Sequence, residues 1–257
     1  MAITAQQVAA LRARTGAGIM DAKQALEEAK GIEETAIDIL RKKGQAQAVK
    51  KAGRVQSEGG VFIAVDDKHA AMVLVKCETD FVGRSGVFVK LGSELASTLL
   101  KGGQAAYDKL AKEKIPAAVL ELGENISVGE THLVESPVIG TYVHSNRKIG
   151  VIIGLDGGKK EQAVDAAMHA AAMNPLYVEP GDVPEAAVIK EREIWTEQLK
   201  NDKKPAPIIE KIMLGKEKKF REENALVTQP FVKDQNQTVG KMLGTAKVVK
   251  YVRVSLS

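Results

Sequence analysis

Several residue types are scarce in this sequence of 257 residues, and each scarcity excludes a class of protein. A single cysteine, Cys77, excludes an intramolecular disulfide and favours a reducing compartment. Aromatic residues make up only 4% of the chain, too few for a platform that stacks nucleic-acid bases. No apolar run approaches the ~18 residues of a membrane-spanning helix, and the first residues lack the apolar core of a signal peptide. We therefore expect a cytoplasmic protein without a membrane partner.

Motifs for catalysis and metal binding are also missing from the sequence. The run Gly157-Gly158-Lys159-Lys160 lacks the spacing and the hydroxyl of a phosphate-binding loop. There is no His-Glu-x-x-His, no Cys-x-x-Cys and no acid-rich metal loop. We therefore predict no catalytic residues, no cofactor and no bound metal, which favours a binding or regulatory protein. An enzyme that uses Cys77 or His169 is an alternative, although both fit buried core positions better.

The charge balance is only mildly basic. Lysine and arginine number 37 and acidic residues 33, for a net charge of +4. Dedicated nucleic-acid-binding proteins usually carry a larger excess, so no specific nucleic-acid partner is expected. Residues 41–54 nevertheless form a locally basic stretch, which we interpret as a solvated linker. Binding of this stretch to RNA or the ribosome is the alternative.

The first 55 residues predict a helical module of three short helices. Thr4 and Gln7 form a capping box at the start of the first helix, which should end at residues 15–18. The second helix is predicted to begin at Asp21. The third is predicted over residues 33–43 and should stop at Gly44. None of these helices would be stable alone, so they must share a small core.

From Gly60 onward the hydrophobic period changes from helix to strand. The segment GVFIAVDDKHAAMVLVKC predicts a β-hairpin, and GTYVHSNRKIGVIIGLDG repeats the pattern about 80 residues later. Three helical segments, at about 85–101, 104–114 and 117–123, are predicted after the first copy, and one helix, at 160–173, after the second. We therefore predict an α+β fold in which the helical module (residues 1–55) precedes two related subdomains with antiparallel sheets, at 56–139 and 140–257.

A pair of charged amphipathic helices within residues 180–226 predicts a helical hairpin inserted into the second subdomain, broken at Pro205 and Pro207. The residues expected to face each other across it are Ala187, Ile194 and Leu199 on one helix and Ile209, Ile212 and Phe220 on the other. A scaffold that binds partners through this hairpin alone is a further alternative.

One short segment, Cys77-Glu-Thr-Asp-Phe-Val-Gly, places a phenylalanine and a carboxylate in a turn between a strand and a helix. Two interpretations are open. Phe81 either packs under its own helix, with Thr79 or Asp80 as the cap, or it is exposed and available to a partner.

Four motifs in order along the chain resemble the bacterial elongation factor Ts family. They are Arg14-Thr-Gly-Ala-Gly-Ile-Met-Asp-Ala-Lys-Gln-Ala-Leu, Thr79-Asp-Phe-Val, His169-Ala-Ala-Ala-Met-Asn-Pro and Gln229-Pro-Phe-Val. The resemblance implies a guanine nucleotide exchange factor, not an enzyme, whose partner is elongation factor Tu. It implies that the helical module is ubiquitin-associated-like and contacts the G domain of that partner.

The same resemblance assigns roles to individual residues. Thr79, Asp80, Phe81 and Val82 would enter between two helices of the G domain and dislocate Mg²⁺ and GDP. Arg12, Thr15, Gly16 and Met20 would contact the partner from the helical module. The second subdomain would touch the third domain of elongation factor Tu, and the hairpin would form a coiled coil that supports a homodimer. Relatives with a longer tail carry a C-terminal helical module that packs on the G domain, and the resemblance leaves that contact open for this chain.

Overall fold

A computed structural model describes residues 3–199 and 205–256 and confirms the predicted α+β class. The chain divides into two units. The first contains the residues up to Glu135 together with Val143–Gly150 and the end of the chain from Val254. The second contains Ser136–Tyr142 and Val151–Arg253.

The first unit begins with the helices α1 (Ala5–Thr15), α2 (Ile19–Glu28) and α3 (Glu33–Lys51). The capping box is confirmed, because Thr4 Oγ1 accepts from Gln7 N at 3.2 Å and the glutamine side chain accepts from Thr4 N. The three helices share a core formed mainly by small and aliphatic side chains, among them Leu11, Ala22, Leu26, Ala36 and Leu40.

Two of the predicted helix boundaries in this region are wrong. Helix α2 begins at Ile19, not Asp21, because the carbonyl of Gly18 already accepts from Ala22 N; the Asp21 carboxylate pairs with Lys43 at 2.7 Å. Helix α3 continues through Gly44 to Lys51, so the basic stretch is largely helical and not a linker. At Gly44 the missing side chain allows close packing against a later helix instead of ending the helix.

The β-sheet of the first unit has the order β1-β2-β3, with β1 at Glu58–Val65, β2 at His69–Cys77 and β3 at Ser127–Glu135. Both pairings are antiparallel, and Phe62 lies opposite Val73. The predicted hairpin turn is confirmed: Asp66 Oδ1 accepts from the amides of Lys68 and His69 at 2.9 and 2.8 Å.

Two helices connect β2 to β3. These are the short α4 (Asp80–Arg84) and the long α5 (Gly86–Leu122). Sequence patterns predict three helical segments here. The predicted break after residue 101 is confirmed, because the backbone at Gly103 is not helical (φ 68°), whereas the predicted break near residue 115 is wrong, because α5 continues through Pro116. Helix α5 covers the sheet through a core that includes Phe62, Val73, Val75, Phe88, Leu95, Leu99 and Val119.

The second unit is built around the strand order β4-β5-β8. Its elements in chain order are β4 (Val138–Val143), β5 (Ile149–Asp156), α6 (Lys160–Met173), α7 (Glu185–Leu199), α8 (Ala206–Asn224), β6 (Pro230–Phe231), β7 (Asp234–Thr238), α9 (Val239–Leu243) and β8 (Lys247–Ser255). Short 3₁₀ turns lie at Pro180–Asp182 and Leu226–Thr228. The predicted second strand–turn–strand–helix pattern is confirmed, and α6 has the predicted bounds.

Helices α7 and α8 pack against each other, as the predicted hairpin requires. The prediction of which residues meet is partly wrong. Val188 and Trp195 are the buried positions of α7, whereas Ile194 is half exposed, because the bulky indole ring occupies the contact. Trp195 meets Phe220 edge to face, with ring centroids 5.9 Å apart. Of the two prolines predicted to break the hairpin, Pro205 is the N-cap of α8, whereas Pro207 lies in the first turn of that helix, where proline is tolerated. Residues 200–204 lie outside the described residues.

Candidate functional site

The turn between β2 and α5 contains the segment singled out by the sequence. Strand β2 ends at Cys77, and α4 begins only three residues later. Thr79 is the N-cap of α4, with extended backbone, and its Oγ1 accepts from Val82 N at 3.4 Å. Ser85 then caps α5 in the same way, accepting from Phe88 N. Two successive caps therefore confine α4 to a little more than one helical turn.

Phe81 points away from the protein core. Its side chain is 84% exposed, which makes it the most exposed large apolar side chain among the described residues. The interpretation that Phe81 packs under its own helix is therefore wrong, although Thr79 does supply the cap. The contact of α4 with the core comes from Val82, which packs against the cluster beneath α5. The turn thus presents an unburied aromatic ring on a short, capped helix.

The carboxylate of Glu124 holds the backbone that leads into this turn. Its Oε2 accepts from the amides of Glu78 and Thr79 at 3.0 and 3.1 Å. Its Oε1 accepts from the hydroxyl of Thr79 at 2.5 Å. Nothing local in the sequence indicates this contact, because Glu124 lies 45 residues beyond Thr79. We call these three hydrogen bonds the Glu124 clamp.

The side chain of Glu78 makes the reciprocal contact, from the segment before α4 to the segment after α5. Glu78 Oε1 accepts from Asn125 N at 2.6 Å and from the Arg54 guanidinium at 3.3 Å. The hydrogen bond from Asn125, with a smaller contribution from Arg54, holds the pKa of Glu78 below its ordinary value of 4.5. The two segments 78–79 and 124–125 therefore bind each other reciprocally through the side chains of Glu78 and Glu124.

The remaining residues of the turn have local roles. The Asp80 carboxylate pairs with Arg84 at 3.1 Å across one helical turn; Arg84 is largely exposed and Asp80 is about half exposed. Buried Cys77 contacts the carbonyl of Thr79 at 3.2 Å. Desolvation and the nearby Glu124 carboxylate raise the pKa of the Cys77 thiol to about 12. A neutral thiol of this kind does not act as a nucleophile near pH 7.

The four residues of the helical module that were predicted to contact a partner lie around the end of α1. Gly16 adopts a left-handed φ of 70° and ends that helix. Arg12 Nε donates to Ala17 O at 3.1 Å, and the Thr15 hydroxyl donates to Leu11 O at 2.7 Å. Met20, at the start of α2, is 74% exposed. Arg12, Thr15 and Gly16 therefore shape the α1–α2 turn, while Met20 supplies an apolar surface beside it.

The basic stretch and His169, the alternative functional sites, form contacts within the protein itself. Much of the basic stretch is already paired, since Arg41, Lys43 and Arg54 bind Glu113, Asp21 and Glu78. His169 is fully buried, with Nε2 2.9 Å from Gln229 Oε1 and Nδ1 accepting from Val232 N at 3.2 Å. Within residues 3–199 and 205–256 there is no cluster of three potential metal ligands. The helices of that same part of the chain include none able to span a membrane.

Comparisons with known proteins agree along nearly the whole chain. The family model described as "Elongation factor TS" matches residues 78–257. The elongation factor Ts of Thioalkalivibrio sulfidiphilus is 44% identical over 269 residues, which cover 98% of this chain and 92% of that protein. The elongation factor Ts of Marinobacter nauticus is also 44% identical, covering 99% and 91%. The chain therefore belongs to the elongation factor Ts family of translation elongation factors.

Proposed function

We propose that this protein is the guanine nucleotide exchange factor of elongation factor Tu, and that the turn formed by Thr79, Asp80, Phe81 and Val82 opens the nucleotide site of that partner. The observation that carries the proposal is the exposure of Phe81 on a turn held by ionic and capping hydrogen bonds. An aromatic side chain exposed to water gains free energy when a partner buries it. A rigid support lowers the entropy lost in that step.

Exchange of this kind needs no chemical step by the protein itself. Backbone amides and Mg²⁺ hold the phosphates of a bound nucleotide. A protein that binds the nucleotide-free form of its partner more tightly than the GDP form weakens GDP binding by the same factor. Phe81, buried in a pocket that opens only when partner helices separate, provides such a preference. Asp80 would follow it toward the Mg²⁺ and promote loss of the ion.

The size of the effect follows from the area of one aromatic side chain. Burial of a phenylalanine contributes roughly 1.5–3 kcal/mol. Since about 1.4 kcal/mol is a factor of ten in affinity, Phe81 accounts for roughly a 10- to 100-fold shift. The remaining coupling must come from other contact surfaces.

One such surface is the helical module. We propose that residues 1–55 form a ubiquitin-associated-like domain that docks on the G domain through Arg12, Thr15, Gly16 and Met20. The exposure of Met20 and of its neighbour Ile19, 58% exposed, supports this. The proposed division into 1–55, 56–139 and 140–257 then assigns separate contacts to each part, in a cytoplasmic complex of two proteins.

The test is the release of a fluorescent GDP analogue from purified elongation factor Tu. With excess unlabelled GDP present, the release rate should rise with the concentration of this chain and saturate. The rise should be smaller at high Mg²⁺, because the ion opposes the opened state. A release rate that is independent of added chain would contradict the proposal.

A second candidate function, self-association through the α7–α8 hairpin, has its own observation. Several apolar side chains on these helices remain about half exposed or more, namely Ile189, Ile194, Ile208 and Leu214. We propose that they meet a second copy in a coiled coil. Sedimentation velocity should then show a concentration-dependent dimer that the Leu214→Glu variant abolishes, whereas a monomer at all concentrations would exclude it.

A further inference from the structure

We infer that Glu124 is a positioning residue that directs Phe81 toward the partner. This inference rests on the proposed exchange function and extends it to a residue outside the turn. The Glu124 clamp binds the two amides and the hydroxyl that come directly before α4. Phe81 is the second residue of α4, so the direction of its side chain depends on the backbone that the clamp holds.

The turn needs such an external support. Helix α4 has five residues, too few for a helix to be stable by itself. Phe81 is 84% exposed and contributes little to packing. Of the helix's own side chains, Val82 packs against the core cluster. The three hydrogen bonds to Glu124 add a polar anchor at the start of α4, where Phe81 itself makes little contact with the core.

The clamp is itself anchored on both sides. The residue before it, Gly123, ends α5 with a φ of 75°, and its carbonyl accepts from Lys51 Nζ at 2.5 Å. The residue after it, Asn125, donates its side-chain amide to Arg54 O at 3.0 Å and its backbone amide to Glu78 at 2.6 Å. The two neighbours of Glu124 are thus fixed to Lys51 at the end of α3 and to Arg54 just beyond it, and Glu124 in turn fixes the turn before α4.

A positioning role for Glu124 and a role in overall stability predict different effects when its carboxylate is removed. Thr79 is exposed and Glu124 only half-buried, so loss of the clamp opens no cavity in the core. The fold should survive removal of the carboxylate. What should change is the order of residues 78–82, and with it the fraction of molecules that present Phe81 correctly.

Three substitutions separate these effects. Glu124→Ala removes the clamp. Glu124→Gln restores it, because the amide oxygen accepts the two backbone hydrogens while the amide nitrogen donates to the Thr79 hydroxyl. Glu135→Ala is the matched control, since Glu135 is an exposed carboxylate at the end of β3, 3.9 Å from His69 Nε2. Each is combined with Phe81→Ala in a double-mutant cycle.

The first readout is the release of fluorescent GDP from elongation factor Tu at several concentrations of each variant. Glu124→Ala should lower kcat/KM about tenfold, equivalent to about 1.4 kcal/mol. Glu124→Gln should stay within about threefold of the parent chain, and Glu135→Ala should match it. In the Phe81→Ala background, Glu124→Ala should have almost no further effect. An equal loss in both backgrounds, no loss at all, or a glutamine variant as slow as the alanine variant would overturn the inference.

The second readout needs no partner and so stands apart from the exchange function. Amide hydrogen exchange of the free protein should become faster at residues 78–82 in Glu124→Ala and stay slow in the core of β2 and α5. If the parent chain fails to accelerate GDP release from elongation factor Tu, the proposed exchange function is contradicted. The amide measurement on the free protein then still decides whether Glu124 orders residues 78–82. An unchanged rate of amide hydrogen exchange at residues 78–82 in Glu124→Ala would overturn the positioning role of Glu124.

Discussion

Gly44 of α3 and Pro116 of α5 lie in direct backbone contact. A Cβ built on Gly44 would stand 2.7 Å from the carbonyl oxygen of Pro116. That distance is shorter than a normal contact, and the atom it meets belongs to the backbone and cannot turn aside. The absent side chain therefore sets how closely α3 approaches α5, and α3 continues for seven residues beyond Gly44 to Lys51.

The first prediction follows from this contact. Gly44→Ala should lower the free energy of unfolding by about 1–3 kcal/mol, because the added methyl group overpacks the helix crossing. Gly215→Ala is the matched control, since Gly215 lies within α8 with nothing within 4 Å of its added Cβ. Alanine there should stabilise the protein by roughly 0.5–1 kcal/mol through helix propensity. Urea unfolding followed by circular dichroism measures both, and equal effects of the two changes would contradict the steric explanation.

The second prediction concerns Phe81. Phe81→Ala should slow exchange roughly 10- to 100-fold while leaving stability within ~0.5 kcal/mol, because an exposed side chain contributes little to the fold. Phe88→Ala, at a fully buried position of α5, should instead cost roughly 3–5 kcal/mol of stability. GDP release and thermal unfolding, measured side by side, separate the two residues. A destabilised Phe81→Ala variant would place the ring in the core.

The third prediction is a pH dependence at His169. Burial lowers the pKa of His169 below 6.5, while the hydrogen bond with Gln229 acts the other way. Below about pH 6.5 the unfolded chain binds a proton that the folded chain does not, so this site stabilises the fold fully above that pH and progressively less below it. His169→Gln keeps a donor and an acceptor but does not titrate.

Unfolding free energies between pH 7.5 and 5.5 should therefore fall more steeply for the parent chain than for His169→Gln. One group contributes a slope of at most about 1.4 kcal/mol per pH unit. Parallel curves for the two proteins would show that His169 gains its proton equally well in the folded state.

The fourth prediction uses Trp195, the only tryptophan of the chain. It is 8% exposed, lies edge to face with Phe220 and has Lys216 Nζ 5.9 Å from its ring centroid. Phe220→Ala should shift the tryptophan emission to longer wavelength and weaken the hairpin by about 0.5–1.5 kcal/mol beyond the lost buried area. Lys218→Ala, on the same helix and exposed, is the control. Unchanged emission in Phe220→Ala would contradict the packing described.

Local signals were sufficient for much of the fold. The Thr4 cap, the left-handed Gly16, the Asp66 turn and the bounds of α6 all depend on residues within one or two turns of each other. Interactions of this range are present in the sequence itself as caps, glycines and hydrophobic periods. For the same reason the four family motifs were enough to name the residues of the proposed site.

Long-range packing decided the rest. Gly44 predicts a helix end by local rules, but contact with Pro116 makes it an interior residue of α3. On α7, Trp195 is buried in place of the predicted Ile194, since its ring packs edge to face against Phe220 of α8. Neither outcome is visible without the partner helix, because the free energy of packing depends on which surfaces meet.

The candidate site shows the same division. The sequence alone placed Thr79, Asp80, Phe81 and Val82 in a turn between a strand and a helix, and left open whether the aromatic ring is buried. Only the tertiary structure decided that Phe81 faces water and that Glu124 holds its turn. The physical reason is that Glu124 meets Thr79 only after α5 has brought the chain back to the end of β2. The two residues are 45 positions apart, and local sequence patterns describe interactions only between near neighbours.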